Sequence, residues 1–195
     1  MKTRKLEYFY DYVSAYSYIV NSQVQDIEGA ELHYRPMLLG AVMQATGNRP
    51  PGAVPAKGKY LTTDLARWAK IYGIPFTFNS VFPQNTLNAL RLSIAAQKSG
   101  GFHDIHQPLF DAMFVHDRDL SDNETLIQIV SDAGLDAEKL MDDISDQSIK
   151  DELKNNTEEA VRRGVFGAPT FFVGDEMFFG NDRLDFVREA LKHDG

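Results

Sequence analysis

The sequence contains no cysteine among its 195 residues. Disulfide bonds, thiolate metal clusters and a sulfur nucleophile belonging to the chain are therefore excluded. It also lacks an apolar run near the ~20 residues that a membrane-spanning helix needs. Positive charge is scarce, since 20 basic residues face 28 acidic ones and the net charge is −8. This acidity disfavours binding to nucleic acid or to an anionic membrane, because both attract positive charge.

The rest of the composition is that of an ordinary globular protein, with 43% hydrophobic and 25% charged residues. The N-terminus lacks the apolar stretch of a secretory signal peptide, which predicts a cytoplasmic protein. Two of the five histidines, His103 and His106, are three positions apart, but no acidic ligand is spaced to match them. We therefore predict no metal site.

The first 36 residues predict a strand, a helix and a second strand. Leu6–Tyr10 is rich in aromatic residues, and apolar residues at helical spacing then run up to Gly29. Ala30–Arg35 forms a second strand-like run that ends at Pro36. A βαβ unit of this length predicts two parallel strands joined by a right-handed crossover.

Residues 37–163 carry helical periodicity and almost no strand pattern. The prolines and glycines of Asn48–Lys59 predict an irregular loop, and Ser121–Glu124 matches a capping box that opens a helix. Strand pattern returns in Thr170–Gly180, which predicts a hairpin followed by a last helix. We therefore predict an α/β protein in which 1–36 and 164–195 form one discontinuous domain and 37–163 is an inserted helical domain.

This order of elements resembles the thioredoxin-like fold with a DsbA-like helical insertion. In redox members of that fold, Cys-x-x-Cys begins the first helix, whereas Ser14 and Ser17 stand at those positions here. Thiol–disulfide exchange by the chain itself is therefore excluded. Serine at the first position resembles the glutathione-dependent branch, which holds kappa-class glutathione transferases and 2-hydroxychromene-2-carboxylate isomerases. The motifs that carry this resemblance are Phe9–Tyr18, Thr46–Pro51, Phe82–Leu87, Val165–Thr170 and Gly180–Arg183.

The resemblance implies that Ser14 is the catalytic residue. Taken alone, a serine before a helix predicts an N-cap, whose hydroxyl accepts a backbone N–H. The two roles are compatible, because a helix N-terminus also favours a bound thiolate. Ser14 would then donate a hydrogen bond to the sulfur of glutathione rather than act as a nucleophile.

The resemblance also implies the remaining cofactor contacts. A cis peptide bond between Ala168 and Pro169 would turn the main chain of Ala168 toward glutathione. Asn181 and Asp182 would receive its γ-glutamyl group, and the amide of Asn48 would reach the cofactor or the substrate. From local sequence alone, Asp182 is an ordinary N-cap and Asn48 a turn residue.

The expected substrate is a small aromatic carboxylate. Arg49, Lys57 and Lys59 would give the loop positive charge for its carboxylate, and Phe82 would contact its ring. Asn48–Gly52, Arg67–Ala69 and Tyr72–Phe76 look more like the isomerases than the transferases. The resemblance thus implies a glutathione-dependent isomerase of naphthalene catabolism, acting as a homodimer. A kappa-type transferase and a non-catalytic peptide-binding module stay open as alternatives.

Overall fold

In the part of the chain that the structure describes, N-terminal and C-terminal segments form one four-stranded sheet. The structure is a computed structural model, and it describes residues 3–192. The strand order is β2-β1-β3-β4, with β1 and β2 parallel and the other two pairings antiparallel. The strands are β1 (Arg4–Tyr10), β2 (Ala30–Pro36), β3 (Thr170–Val173) and β4 (Glu176–Phe179). The predicted parallel unit and the C-terminal hairpin are therefore confirmed.

Helices fill the connections between these strands. Within the described residues, one α-helix joins β1 to β2, seven lie between β2 and β3, and one follows β4. They are α1 (Ala15–Val24), α2 (Leu39–Thr46), α3 (Pro55–Tyr72), α4 (Leu87–Ser99), α5 (Phe102–Phe114), α6 (Asn123–Asp132), α7 (Ala137–Asp143), α8 (Gln147–Arg162) and α9 (Leu184–Lys192), with short 3₁₀ helices at Pro51–Ala53 and Asn181–Arg183.

The central strand β1 is buried on both faces. Leu6, Tyr8 and Tyr10 lie in the larger apolar core, and the Tyr10 hydroxyl is 2.6 Å from Ser93 Oγ of α4. Phe9 belongs to a second, smaller core formed with residues of α2 and α8. Because side chains alternate along a strand, β1 contributes to the apolar core on each face of the sheet. Its C-terminal end leads directly into the turn before α1.

Two local predictions are wrong. Asn48–Lys59 is not irregular throughout, because α3 already begins at Pro55, and proline is well suited to the first turn of a helix. Ser121 does not cap α6, since its hydroxyl donates to Asp119. Asp122 is the N-cap instead, and its carboxylate accepts from the N–H groups of Glu124 and Thr125.

Candidate active site

Ser14 is the N-cap of α1 and lies in the short turn between the end of β1 and that helix. Its Oγ accepts from the N–H of Ser17 at 3.2 Å, which confirms the capping role. The same hydroxyl donates to the carbonyl oxygen of Ala168 at 3.1 Å. The side chain is buried. One hydroxyl therefore joins the start of α1 to the residue that precedes Pro169.

The Ala168–Pro169 bond is cis, as expected. The Pro169 carbonyl accepts from the N–H of Gly180 at 3.0 Å, which fixes the start of β3 to the end of β4. Asn48 reaches the same loop, because its Nδ2 donates to the Phe166 carbonyl at 2.7 Å. Three predicted residues (Ser14, Asn48 and Ala168) are thus brought to one loop.

Asn181 and Asp182 lie in the short 3₁₀ helix that follows Gly180, and this helix packs on α1. The side chain of Asn181 is buried, and its Nδ2 has no hydrogen-bond partner in residues 3–192. Asp182 precedes the last helix but lies within the 3₁₀ helix rather than at an N-cap, and it pairs with Arg183 Nη1 at 2.5 Å. A buried amide donor and a carboxylate therefore stand side by side on the edge of the site.

A cavity of about 350 Å³ lies beside the first turn of α1. Its wall consists of Tyr16, Pro51, Ala56, Lys57, Tyr60 and Leu61. Asp64 of α3 accepts from the hydroxyls of Tyr16 at 2.7 Å and Tyr60 at 3.1 Å. Burial, and to a lesser extent the nearby Asp64 carboxylate, raises the pKa of the Tyr16 hydroxyl above its usual value, so this phenol stays a neutral donor.

Three predicted substrate residues are not drawn into this arrangement. Lys59 is exposed on α3 and is not part of the wall of that cavity. The side chain of Arg49 is exposed, and only its backbone N–H contacts the site, through Asn48 Oδ1 at 2.8 Å. Phe82 is 40% exposed and packs on Phe78 with ring centroids 5.0 Å apart. Of the four, only Lys57 lines the cavity beside α1.

The sequence interpretation missed Asp11, Tyr16 and Asp64. Asp11 is buried although it is charged, and burial raises the pKa of its carboxyl group. The sequence could have pointed to Asp11, because this acidic residue directly follows an aromatic-rich strand and precedes Ser14 by three positions. Tyr16 and Asp64 are 48 positions apart, so no local pattern could have paired them.

Comparison with known proteins places this geometry in a family. The profile of the DsbA-like thioredoxin domain matches residues 5–192. The chain is 31% identical to the 2-hydroxychromene-2-carboxylate isomerase of Sphingobium xenophagum, over 97% of this chain and 98% of that protein. The chain belongs to the DsbA-like thioredoxin family. Within that family it falls in the branch of 2-hydroxychromene-2-carboxylate isomerases and kappa-class glutathione transferases.

Two further relatives define this branch of the DsbA-like family. Glutathione S-transferase kappa 1 of Rattus norvegicus is 27% identical, over 96% of this chain and 91% of that protein. A solved 2-hydroxychromene-2-carboxylate isomerase structure superposes with a TM-score of 0.87 at 26% identity, covering 96% of this chain and 94% of that one. The predicted thioredoxin-like fold with its helical insertion is therefore confirmed, and these relatives are enzymes.

The described residues show neither a cluster of metal-ligating side chains nor a membrane-spanning helix. No group of three or more histidine or acidic side chains in residues 3–192 is arranged to hold a metal ion. Within the same residues, no helix is both long and apolar enough to cross a membrane.

Proposed function

We propose that this protein is a glutathione-dependent isomerase that converts 2-hydroxychromene-2-carboxylate to trans-o-hydroxybenzylidenepyruvate. The observation that carries the proposal is the Ser14 hydroxyl, at the start of α1 and 3.1 Å from the Ala168 carbonyl, in a chain without cysteine. Whole-length identity to proteins named for this reaction, at 31% and 33%, supports it. The reactive sulfur would then arrive on the bound cofactor.

The described residues fit a tripeptide thiol. The Ala168 main chain, next to the cis bond, offers an N–H and a C=O in the β-strand manner. Asn181 Nδ2 is a buried donor without a partner in the described range 3–192. Such a donor costs about 1–3 kcal/mol, so a ligand that accepts from it recovers that energy. Asp182 offers a carboxylate for an ammonium group. The Asn48 amide has two N–H donors and uses one of them on Phe166, so one is left for a ligand.

Ligand binding would redirect the Ser14 proton. Ser14 Oγ accepts the capping hydrogen bond from Ser17 N–H through a lone pair. Its own O–H proton is not used in that bond and can be donated to another acceptor. That proton now goes to the Ala168 carbonyl. With the Ala168 carbonyl paired to a cysteinyl N–H of the cofactor, the Ser14 hydroxyl would be able to donate to the sulfur instead. One exchange then satisfies both groups.

The energies are sufficient for such a role. A free thiol has a pKa of ~8.5. A hydrogen bond to a charged group contributes ~1.5–3 kcal/mol, and a helix N-terminus contributes ~0.3–1 kcal/mol. At ~1.4 kcal/mol per pKa unit, these two contributions bring the thiol pKa near or below 7. Bound glutathione supplies a thiolate that adds reversibly to a conjugated double bond, which permits rotation about that bond.

The cavity beside α1 is proposed to take the aromatic carboxylate. Lys57 would pair with its carboxylate, at a wall whose other members include the rings of Tyr16 and Tyr60. Arg49 and Lys59 would add positive charge outside the cavity, and Phe82 would contact the substrate from its exposed position. We further propose that the reaction serves naphthalene catabolism and that the protein works as a cytoplasmic homodimer.

Product analysis tests the reaction. The purified protein is incubated with 2-hydroxychromene-2-carboxylate and one equivalent of glutathione, and both compounds are quantified by chromatography. The isomerase proposal expects the trans product to accumulate while free glutathione stays constant. Loss of glutathione in step with a thioether product would instead establish the transferase, which whole-length identity to kappa transferases keeps as the second candidate.

Calorimetric titration with glutathione tests the step that both enzymes share. We expect saturable binding to one site per chain, weakened when the Asn181 donor is removed. Absence of binding would overturn both enzyme proposals and would favour the peptide-binding module.

A further inference from the structure

Asp11 joins three separate segments of the chain directly behind Ser14. Its Oδ1 accepts from the Thr86 hydroxyl at 2.6 Å and from Val13 N–H at 3.1 Å. Its Oδ2 accepts from Leu39 N–H at 2.9 Å. The Asp11 carbonyl also accepts from the N–H of Ser14 at 3.0 Å. The residue is only 2% exposed, so these bonds form away from water.

The two helix termini at Asp11 have no side-chain caps of their own. Thr86 is the N-cap of α4, yet its hydroxyl makes no cap bond to that helix and donates to Asp11 instead. A threonine cap ordinarily stabilises its helix by ~1 kcal/mol. Leu38, the N-cap of α2, has no capping side chain, and Asp11 serves the first N–H of that helix from outside. One carboxylate therefore bonds to the starts of two helices, and at α4 the threonine hydroxyl bonds to Asp11 in place of a cap.

We infer that Asp11 is a positioning residue that holds the Ser14 turn against the first residues of α2 and α4. This inference rests on the proposed role of Ser14. Through α2 the same carboxylate is connected to Asn48, which follows that helix by two positions. Through Thr86 it is connected to the segment that carries Phe82. Asp11 thus sets the relative placement of the three segments from which the site is built.

The experiment uses substitutions that distinguish the loss of the hydrogen bond that positions Asp11 from the loss of the Asp11 charge. Thr86→Val removes a hydroxyl donor but leaves the carboxylate, whereas Thr86→Ser keeps the donor. Asp11→Asn removes the charge and one of the acceptors. Asp122→Ala is the matched control, because it removes the N-cap of α6 and lowers stability without contacting Asp11.

We expect Thr86→Val and Asp11→Asn to lower kcat about tenfold or more, because small misplacements of a catalytic group have effects of that order. The Kd for glutathione should change less than kcat, since Ala168, Asn181 and Asp182 lie outside the three segments that Asp11 joins. Thr86→Ser should restore kcat, and Asp122→Ala should leave it unchanged while lowering Tm. An increase in kcat for Asp11→Asn would mean that the charge opposes the thiolate, and would overturn the positioning role.

A second measurement does not depend on glutathione. Because the chain has no cysteine, Ser14→Cys introduces a unique thiol whose pKa can be followed by its alkylation rate. Adding Thr86→Val should raise that pKa by about half a unit, which is the scale of the alignment with the helix terminus. If neither this pKa nor kcat responds to Thr86→Val, Asp11 has no positioning role. A wild type that fails to bind glutathione would refute the proposed function while this thiol still tests Asp11.

Discussion

Ser14→Ala is the substitution that most directly tests the proposed chemistry. It removes the hydroxyl that joins the start of α1 to the Ala168 carbonyl. The helix terminus itself stays in place, so the variant keeps the dipole but loses the hydrogen bond. We expect a folded protein whose bound thiol is less acidic.

The size of the effect follows from the hydrogen bond. A bond to a charged group of ~1.5–3 kcal/mol corresponds to about one to two pKa units. The bound thiol should therefore return from near 7 toward ~8.5, and its ionised fraction at neutral pH should fall about tenfold. Loss of the Ser17 cap bond, at ~1 kcal/mol, should lower Tm by about 2–4 °C in a chain of this length.

The assay is kcat as a function of pH, with thiolate absorbance of bound glutathione measured in parallel. The Ser14→Ala profile should shift to higher pH, so that activity recovers where the thiol ionises without help. Ser17→Ala is the matched control, because that hydroxyl is fully buried one turn away and has no partner within residues 3–192. A Ser14→Ala enzyme with unchanged kcat and an unchanged pH profile would refute the thiolate role.

Other consequences can be measured independently. Asn181→Ala should weaken glutathione binding in calorimetry by about fivefold or more without lowering Tm, because the deleted donor has no partner within residues 3–192. An unchanged Kd would argue against its role. Lys57→Ala should raise KM for the aromatic carboxylate while Lys59→Ala has a smaller effect, since only Lys57 lines the cavity; equal effects would contradict this placement. Burial lowers the pKa of His106 to about 3 from a usual 6.5, so the unfolded chain binds the proton more readily. Stability should be complete above pH 6.5 and fall as the pH drops toward 3. A melting series should show a shallower acid loss for His106→Gln, and parallel curves would contradict the assignment.

Local sequence predicted those parts of the fold that short-range patterns control. The aromatic run of β1, the helical spacing before Gly29 and the Thr170–Gly180 hairpin all gave the correct element. The errors fell where one interaction outside the pattern prevailed. α3 begins at Pro55, inside the segment where prolines and glycines had predicted a loop, because proline can occupy the first turn of a helix. Ser121 does not cap α6, because its hydroxyl donates to Asp119, and Asp122 is the N-cap instead.

The candidate site divides in the same way. The capping role of Ser14 is a local property and was predicted correctly. The bond from Ser14 to Ala168 spans 154 positions and the bond from Thr86 to Asp11 spans 75, so neither leaves a local pattern. The resemblance to known motifs pointed to Ala168 and Asn48 as site residues. It could not show that Lys57 lines the cavity and Lys59 does not.

By itself, the sequence determined that the chain carries no thiol, because cysteine is absent, and that helices fill its middle, because apolar residues there recur at helical spacing. The tertiary structure alone decided which polar groups meet. Ser14 donates to Ala168, Asp11 accepts from the starts of α2 and α4, and Asn181 Nδ2 has no hydrogen-bond partner among residues 3–192. Hydrogen bonds act over about 3 Å, so their partners are fixed only when packing brings distant segments together.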